Sequence, residues 1–251
     1  MRLLRPRTPL YLIVALVTLA CVRGTGPRLL GEGRRVLFIG NSYTYFADIP
    51  GIVQAFADSA GGDKLAVETV AYPDFALIDH WREGTAVKEI RKGQWEWVVL
   101  QQGPSSTPIN RDSLRLLASM FAPEIDRAGA RAALFAAWPA ASRRQDFIAA
   151  IQSYSLATND VGGMLLPVAL GWLEAWERNA SVQLYADGLH PSAAGAYLSA
   201  LIIYSSLLTQ TPAGQPATLR LRSGAVLRID PVLAATFQDA AAAALAQAPP
   251  P

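Results

Sequence analysis

The sequence has few of the residues from which disulfide frameworks and metal sites are built. It contains one cysteine and two histidines among 251 residues. One cysteine cannot form an internal disulfide, and these three side chains are too few for the usual zinc-ligand clusters. Charged residues are also scarce at 17%, while hydrophobic residues make up 51%. This composition excludes a disordered chain and is typical of a single globular domain that buries a full core.

The sequence also lacks the concentrated basic region that nucleic-acid binding requires. Its formal net charge is only +2. Arg2, Arg5 and Arg7 contribute three of the positive charges within the first twenty residues, so the rest of the chain carries a net charge of about −1. We therefore expect no nucleic-acid partner.

The amino-terminal segment has the features of an export signal. A basic start at 1–7 is followed by an apolar run of 11 residues at 10–20, in which Thr18 is the one polar residue. Because a membrane-spanning helix needs about 20 apolar residues, a permanent transmembrane segment is disfavoured. The pattern predicts a signal peptide over 1–20 and an exported protein, either periplasmic or secreted.

Two interpretations of Cys21 stay open. It directly follows the apolar run, where bacterial lipoproteins carry the cysteine that is lipidated and becomes the first mature residue. Such sites usually have Leu three residues before the cysteine and a small residue two before it, whereas this chain has Thr18 and Leu19. The alternatives are a lipid anchor at Cys21, which would be the membrane contact of the protein, and a simple signal peptide. A glycine-rich tether over 21–33 follows in either case.

From Arg34 onward, the chain alternates strand and helix patterns. The predicted strands are 34–40, 65–71, 95–101, 131–138 and 163–168, and the predicted helices are 49–60, 81–92, 112–128, 142–158 and 192–208. Strands separated by helices predict a parallel α/β sheet with both faces covered, in a domain spanning 34–210. The remaining 211–251 predict a hairpin over 218–229 and an alanine-rich helix over 231–247, packed on the same domain.

The first of three segments with reactive side chains follows the first strand, at the sheet edge where open parallel sheets bind ligands. Gly40-Asn41-Ser42 would present a hydroxyl near a helix start, where free N–H groups can bind an oxyanion. An ordinary turn with a capping serine has the same pattern. The segment is not the G-x-S-x-G sequence of α/β-hydrolases, because Thr44 replaces the second glycine.

The other two segments offer a base and further donors. Asp187-Gly-Leu-His190-Pro191 precedes the last long helix and combines a base with a carboxylate that can orient it, which a serine nucleophile requires. A polar turn before a helix is the alternative interpretation. Gln101 and Gln102 end the third strand, and their amides can donate to an oxyanion or simply satisfy a buried loop.

Together, these segments resemble the SGNH (GDSL-like) hydrolase superfamily over residues 34–210, and within it a less-studied, exported bacterial branch. The Gly-Asn-Ser segment is similar to the first sequence block of the superfamily. The Asp-Gly-Leu-His-Pro segment is similar to its fifth, D-x-x-H-P, and the order along the chain is the same. The resemblance implies a three-layer α/β/α sandwich with a flavodoxin-like parallel sheet of about five strands. It also implies Ser42 as nucleophile, His190 as base and Asp187 as the residue that orients the base.

Two departures from the superfamily concern the oxyanion hole, the set of donors that bind the negatively charged oxygen of the intermediate. The second block normally supplies the backbone N–H of a glycine, but 71–77 contains no glycine, which leaves the N–H of Asp74 or Phe75. The third block normally carries an asparagine that this chain lacks, which leaves Gln101 or Gln102. Gln101 continues the third strand directly, and we therefore expect it, rather than Gln102, to be the side-chain donor.

The predicted function is that of an exported serine esterase, and the resemblance to the superfamily implies acetyl esters, on carbohydrates, as the substrates. Ser42 attacks the ester carbonyl, and its own N–H joins the oxyanion hole. The expected substrate-binding residues are Asn41, Tyr43, His80 and Trp138; for the two aromatic residues and His80, packing in the core is the alternative. No metal or organic cofactor is implied, and we expect a monomer. The alternative functions are an O-acyltransferase that uses the same triad and a non-catalytic glycan-binding envelope protein.

Overall fold

The computed structural model describes residues 33–61 and 64–248. The signal peptide expected over 1–20, most of the tether and Cys21 lie outside the described residues and stay predictions. Within the described part of the chain, no helix is both long enough and apolar enough to cross a membrane.

The centre of the fold is a parallel sheet of five strands. In chain order the strands are β1 (Arg34–Gly40), β2 (Leu65–Ala71), β3 (Trp97–Leu100), β4 (Arg131–Phe135) and β5 (Met164–Leu166). They lie in the order β2-β1-β3-β4-β5, and every neighbouring pair is parallel. The predicted α/β sheet is confirmed, and β1 and β2 have the ranges that the sequence predicts.

The central strands are apolar on both faces because helices cover both sides of the sheet. In β1, Val36 and Phe38 belong to one hydrophobic core, while Leu37 and Ile39 belong to the other. All four side chains are buried. The strand therefore appears in the sequence as an unbroken apolar run, and packing on both sides fixes the position of its last residue, Gly40.

Helices form the two outer layers of the fold. In the described part of the chain they are α1 (Ser42–Tyr45), α2 (Ile49–Ser59), α3 (Leu77–Glu83), α4 (Thr85–Arg91), α5 (Pro108–Arg127), α6 (Phe147–Val161), α7 (Val168–Arg178), α8 (Ala193–Leu208) and α9 (Pro231–Gln247). Helices α2, α7, α8 and α9 pack on one face of the sheet, and α3 to α6 pack mainly on the other. An antiparallel hairpin of β6 (Thr218–Arg220) and β7 (Val226–Arg228) lies between α8 and α9 in the chain. This is the three-layer α/β/α sandwich that the resemblance implies.

Helix α7 is the main element that the sequence pattern does not reveal. It begins at Val168, where the pattern predicts the end of a strand, directly after Pro167. Its Gly171 lowers helix propensity by about 1 kcal/mol relative to alanine. The same glycine allows close packing, because a Cβ atom there would lie 2.1 Å from Ile202 Cδ1 of α8. Tertiary packing therefore overrides local propensity in this helix.

A second difference is a break in the helix predicted over 81–92. The chain forms α3 and α4 instead, because Gly84 adopts a left-handed conformation with φ of 87° and ends the first of them. Helix α3 also begins before the predicted start, at Leu77. As a result, His80 lies within a helix and is buried against the sheet.

The carboxyl ends of β1 and β3 form the point where the strand order reverses. From β1 the chain moves to β2 on one side of the sheet, and then returns to β3 on the other side of β1. Ligands of open α/β sheets bind at such a switch point. Gly40-Asn41-Ser42 leaves β1 there, and Gln101 and Gln102 leave β3 there. The fold thus brings two of the three reactive segments to one edge of the sheet.

Candidate active site

Ser42 is the first residue of the short helix α1. Asn41 is its N-cap, and Oδ1 of Asn41 accepts a hydrogen bond from the N–H of Tyr43 at 3.1 Å. Ser42 is partly exposed, and neither its hydroxyl nor its backbone N–H has a hydrogen-bond partner within 33–61 and 64–248. This position therefore combines an accessible hydroxyl with a free donor at a helix start, an arrangement that suits a nucleophile beside an oxyanion.

Gln101 packs against this turn and is fully buried. Its Oε1 accepts hydrogen bonds from the N–H of Asn41 at 2.9 Å and the hydroxyl of Thr44 at 2.8 Å, and its Nε2 donates to the carbonyl oxygen of Gln102. A side chain without exposed surface does not reach an ester oxygen. The expectation that Gln101 donates to the oxyanion is therefore corrected: Gln101 holds the nucleophile turn in place.

The same contact explains the glycine at the end of β1. A Cβ atom at Gly40 would lie 2.4 Å from Gln101 Oε1 and 2.5 Å from Thr44 Oγ1, much closer than such atoms approach in proteins. Only a residue without a side chain lets the glutamine amide pack against the strand end. Packing of the turn therefore requires Gly40.

Gln102 is also engaged in internal contacts. It is 4% exposed, and its Nε2 donates to Ser105 Oγ at 2.9 Å. The hydroxyl of Tyr154 lies 3.1 Å from the N–H of Gln102 and 2.7 Å from its carbonyl oxygen. Gln102 is thus not placed to donate to an oxyanion, and both glutamines match the alternative interpretation of amides that satisfy a buried loop.

His80 is buried in the core beside the same turn. It has no exposed surface, and its Nε2 lies 2.7 Å from the carbonyl oxygen of Gly40. Because a carbonyl oxygen only accepts, Nε2 carries the proton, and Nδ1 has no partner among the described residues. Burial lowers the pKa of His80, although the hydrogen bond to Gly40 opposes this change. The expectation that His80 binds substrate is corrected: it supports the turn that carries Ser42.

Asp187 and His190 form a self-contained pair on the loop before α8. Oδ1 of Asp187 accepts hydrogen bonds from the backbone N–H groups of His190 at 2.7 Å and Leu189 at 2.9 Å. Its Oδ2 lies 2.7 Å from His190 Nδ1. These bonds, led by that of the imidazole, lower the pKa of Asp187 to about 2. Since a carboxylate only accepts, Nδ1 carries the proton, and Nε2 has the free lone pair that a general base needs.

Phe46 joins this loop to the helix that carries Ser42. Its ring stacks on the imidazole of His190, with centroids 4.2 Å apart and planes inclined by 15°. Its N–H donates to the carbonyl oxygen of Ser42 at 2.9 Å. Among the described residues, no hydrogen bond joins the Ser42 hydroxyl to the imidazole, a bond that is often long before substrate binds. The sequence pattern does not single out Phe46, and its spacing of four residues from Ser42 is the only local signal for it.

Trp138 and Tyr43 are both buried behind the loop. Trp138 has no exposed surface, stacks on Trp172 with centroids 4.1 Å apart, and donates from Nε1 to the carbonyl oxygen of Leu189 at 3.0 Å. Tyr43 is buried, and its burial, together with the nearby charge of Asp187, raises its pKa to about 12. The expectation that Trp138 binds substrate is corrected in favour of core packing, whereas Tyr43 also lines a polar cleft, so its expected contact with substrate stays a prediction.

The loop after β2 contacts the nucleophile turn through Asn41. Nδ2 of Asn41 donates to the carbonyl oxygen of Phe75 at 2.9 Å, so both polar atoms of this buried side chain make internal bonds. Asn41 is therefore a structural residue of the turn, and its expected contact with substrate stays a prediction. Beside Phe75, Asp74 is exposed and has a φ of 60°, a conformation that favours glycine. Its N–H has no partner in the described part of the chain.

A polar cleft of about 200 Å³ opens beside Tyr43. A 3₁₀ turn (Ala141–Asp146) borders it and is tied to the His190 loop, because the N–H of Ala141 donates to the carbonyl oxygen of Gly188 at 2.8 Å. Polar groups of the cleft include the ion pair of Arg143 with Asp146, the hydroxyl of Ser106 and the amide of Asn110. Such a mixture of donors and acceptors suits a ligand with hydroxyl groups. Within the described residues, no three His, Cys, Asp or Glu side chains are grouped to hold a metal ion.

Comparisons with known proteins identify the fold. No protein-family model matches the chain, and no curated protein matches it in sequence. A solved structure of a protein from Slackia heliotrinireducens assigned to the SGNH hydrolases has a TM-score of 0.58 and 22% identity, over 70% of this chain and 100% of that one. The structure of an acetyl xylan esterase has a TM-score of 0.56 and 16% identity, over 68% of this chain and 98% of that one. The structure of a lipase/acylhydrolase from Enterococcus faecalis has a TM-score of 0.52 and 18% identity, over 68% of this chain and 93% of that one. The chain therefore has the fold of the SGNH hydrolases, as the resemblance implies.

Proposed function

We propose that this chain, which has the SGNH-hydrolase fold, is a serine esterase with Ser42, His190 and Asp187 as its triad. One observation carries the proposal: Nδ1 of His190 is held 2.7 Å from Asp187 Oδ2, which leaves Nε2 free as a base. Phe46 contacts both this base and the helix of Ser42. A base oriented by a carboxylate beside an accessible hydroxyl is the arrangement that activates a serine nucleophile.

In the proposed reaction, Ser42 Oγ attacks the carbonyl carbon of the ester while Nε2 of His190 takes the hydroxyl proton. The carboxylate of Asp187 stabilises the imidazolium and stays ionised because its pKa is about 2. The tetrahedral intermediate collapses, the proton passes from Nε2 to the leaving alcohol, and the acyl group stays on Ser42. Water then attacks this acyl ester with His190 again as the base, which releases the acid and restores the serine.

Two backbone N–H groups are the proposed donors to the oxyanion. Those of Ser42 and Asp74 have no partner among the described residues, whereas the side chains of Gln101 and Gln102 are engaged elsewhere. Asn41 ties the loop of Asp74 to the nucleophile turn. An oxyanion hole made of main-chain donors would not depend on the asparagine that the third block of this chain lacks.

We further propose acetyl esters of alcohols with several hydroxyl groups, such as carbohydrates, as the substrates. One of the matching structures is an acetyl xylan esterase, although that similarity concerns the fold. The feature of this chain that favours a polar alcohol is the cleft beside Tyr43, where Arg143, Asp146 and Asn110 offer donors and acceptors to hydroxyl groups.

We also propose that the protein is exported, because a basic start precedes the apolar run of 11 residues at 10–20. Whether Cys21 is lipidated decides between a lipid-anchored protein and a free one. If Cys21 is lipidated, Cys21→Ser should move the protein from the membrane fraction to the soluble fraction. Mass spectrometry that finds an unmodified Cys21, or a mature terminus beyond it, would remove the lipid anchor and leave export unaffected.

The decisive experiment measures hydrolysis of p-nitrophenyl acetate and of a panel of acetylated xylooligosaccharides by the purified protein. The wild type should hydrolyse these esters, and Ser42→Ala should not. The matched control is Ser119→Ala, an exposed serine on α5 that should leave activity unchanged. If the folded wild type hydrolysed no ester, the esterase function would be contradicted. Preferred transfer of the acetyl group to an added sugar instead of water would indicate an acyltransferase.

A further inference from the structure

We propose that Phe46 is a positioning residue for His190, whose imidazole it holds in the plane that directs Nε2 towards Ser42. The inference rests on the proposed esterase function, in which His190 is the base. Its structural basis is the stack of the two rings, with centroids 4.2 Å apart and planes inclined by only 15°. Phe46 acts here through the base and not on the reacting atoms.

The imidazole of His190 is restrained at two places. At its edge, Nδ1 donates to Asp187 Oδ2 at 2.7 Å. A hydrogen bond to one ring atom still permits the ring to tilt about that bond. On its face, the nearly parallel ring of Phe46 opposes this tilt. The two contacts together define the ring plane, and the ring plane determines the direction of the Nε2 lone pair.

The exposure of Phe46 indicates that core packing does not explain its position. Phe46 is 51% exposed, which is unusual for a phenylalanine, whereas the side chain of His190 is 20% exposed. Among the described residues, the imidazole of His190 is the aromatic partner of the Phe46 ring. Phe46 therefore leaves half of its own surface exposed but covers one face of the base and shields it from water.

The position of Phe46 also couples the base to the nucleophile. Because its N–H donates to the carbonyl oxygen of Ser42 at 2.9 Å, the two residues belong to the same helical turn. A movement of α1 would shift the hydroxyl and the ring that restrains the base together. When His190 takes the proton, its positive charge lies over the face of an aromatic ring, which is a favourable place for a cation.

Kinetic analysis of three variants separates this role from a purely structural one. Phe46→Tyr keeps the ring and should retain kcat. Phe46→Leu and Phe46→Ala remove the ring plane and should lower kcat for p-nitrophenyl acetate about tenfold with unchanged KM, less than the hundredfold that a misplacement of about 1 Å can cost. The control is Tyr45→Leu, which removes an exposed ring from the same helix. An unchanged kcat in Phe46→Leu, or a change confined to KM, would overturn the proposal.

Proton NMR of the imidazoles gives a second test that does not require activity. The chain has two histidines, and the face of an aromatic ring shifts nearby protons upfield. Phe46→Leu should move the His190 resonances downfield and leave those of His80, which packs near Tyr72 and Phe75, in place. Unchanged His190 resonances would overturn the positioning role. A wild type that hydrolyses no ester would contradict the esterase function, whereas these shifts would still decide whether Phe46 restrains the imidazole.

Discussion

The turn that carries Ser42 and the loop that carries Asp187 and His190 are held by different kinds of contact. The turn bonds to buried side chains of other elements, Gln101 at the end of β3 and His80 on α3. The loop bonds mainly to itself, through hydrogen bonds that span two or three residues, and Trp138 and Ala141 donate to its carbonyl oxygens from outside. The turn is thus part of the core, whereas the loop is a local structure that rests on it.

This difference implies different local stabilities for the two regions. Release of the turn requires separation of groups from β1, β3 and α3, so it approaches global unfolding. Release of the loop requires the loss of a few contacts near the surface, such as the bond from Trp138 to Leu189 and the stack of Phe46 on His190. The position of the nucleophile is therefore set by the fold, and that of the base by contacts that single substitutions can remove.

The largest expected effect comes from the reactive residues of the two regions. Ser42→Ala and His190→Ala should each lower kcat/KM by at least about a thousandfold, and the double variant should be little worse than either, because triad members act as one unit. Hydrolysis of p-nitrophenyl acetate measures both effects. Full activity in His190→Ala would contradict the assignment of the base, and additive losses would contradict joint action.

Gln101→Ala tests the contacts of the turn. The variant leaves the buried N–H of Asn41 and the hydroxyl of Thr44 without their acceptor, so the free energy of unfolding should fall by about 1–3 kcal/mol. Urea unfolding measures this change, and the exposed Gln183→Ala is the control, with an expected change within about 0.5 kcal/mol. If Gln101→Ala instead lowered kcat with unchanged stability, the residue would have to be reconsidered as an oxyanion donor.

His80 should make the stability of the turn depend on pH. Burial lowers its pKa in the folded chain, so below the ordinary histidine value of 6.5 the unfolded chain binds a proton that the folded chain does not. Its contribution to the free energy of unfolding should therefore be constant above about pH 7 and decline as the pH falls towards 5. His80→Gln, which keeps a donor for the Gly40 carbonyl, should reduce this slope in urea titrations at several pH values. Equal slopes in the two proteins would disagree with this account.

The smallest expected effect concerns the ionisation of the Asp187 carboxyl group in the loop. Because the pKa of Asp187 is lowered to about 2, first by the bond from His190 Nδ1, its carboxyl ¹³C resonance should show no titration between pH 7 and pH 4. The stability that this ionised group contributes should be present above the ordinary pKa of aspartate and lost as the pH falls towards 2. His190→Ala removes the main cause, so the pKa of Asp187 should rise in that variant. Titration near the ordinary value in the wild type would argue against the observed bonding.

The sequence predicts the local parts of the site better than the distant ones. One apolar run and the turn after it define β1 and Ser42, and Asp187 and His190 are only three residues apart. The bonds of Gln101 to Asn41 and Thr44, in contrast, span 60 and 57 residues. Alternation along β3 indicates to which side of the sheet a side chain points, but it indicates neither how deeply the side chain is buried nor which groups it bonds. For this reason the sequence pattern suggests Gln101 as an oxyanion donor, whereas its amide is buried against the turn.

The burial of Trp138 shows the same limit. Its place beyond a strand end is compatible with a substrate contact or with core packing, and the ring that covers it belongs to Trp172. Trp172 lies on α7, the helix that the sequence pattern does not reveal because Gly171 weakens its local signal. An error about one element thus becomes an error about a site residue elsewhere in the chain.

The self-contained bonding of Asp187 with His190 also bears on how the chain can vary in length. Residues inserted at the largely exposed 179–181 would leave the internal hydrogen bonds of the loop intact, and the bonds from Trp138 and Ala141 would keep the loop in place. A single residue inserted between Gly40 and Ser42 would separate the hydroxyl from the buried amide that fixes the turn. Among chains of this fold, we therefore expect insertions and deletions to accumulate ahead of the base and to be absent at the strand end that bears the nucleophile.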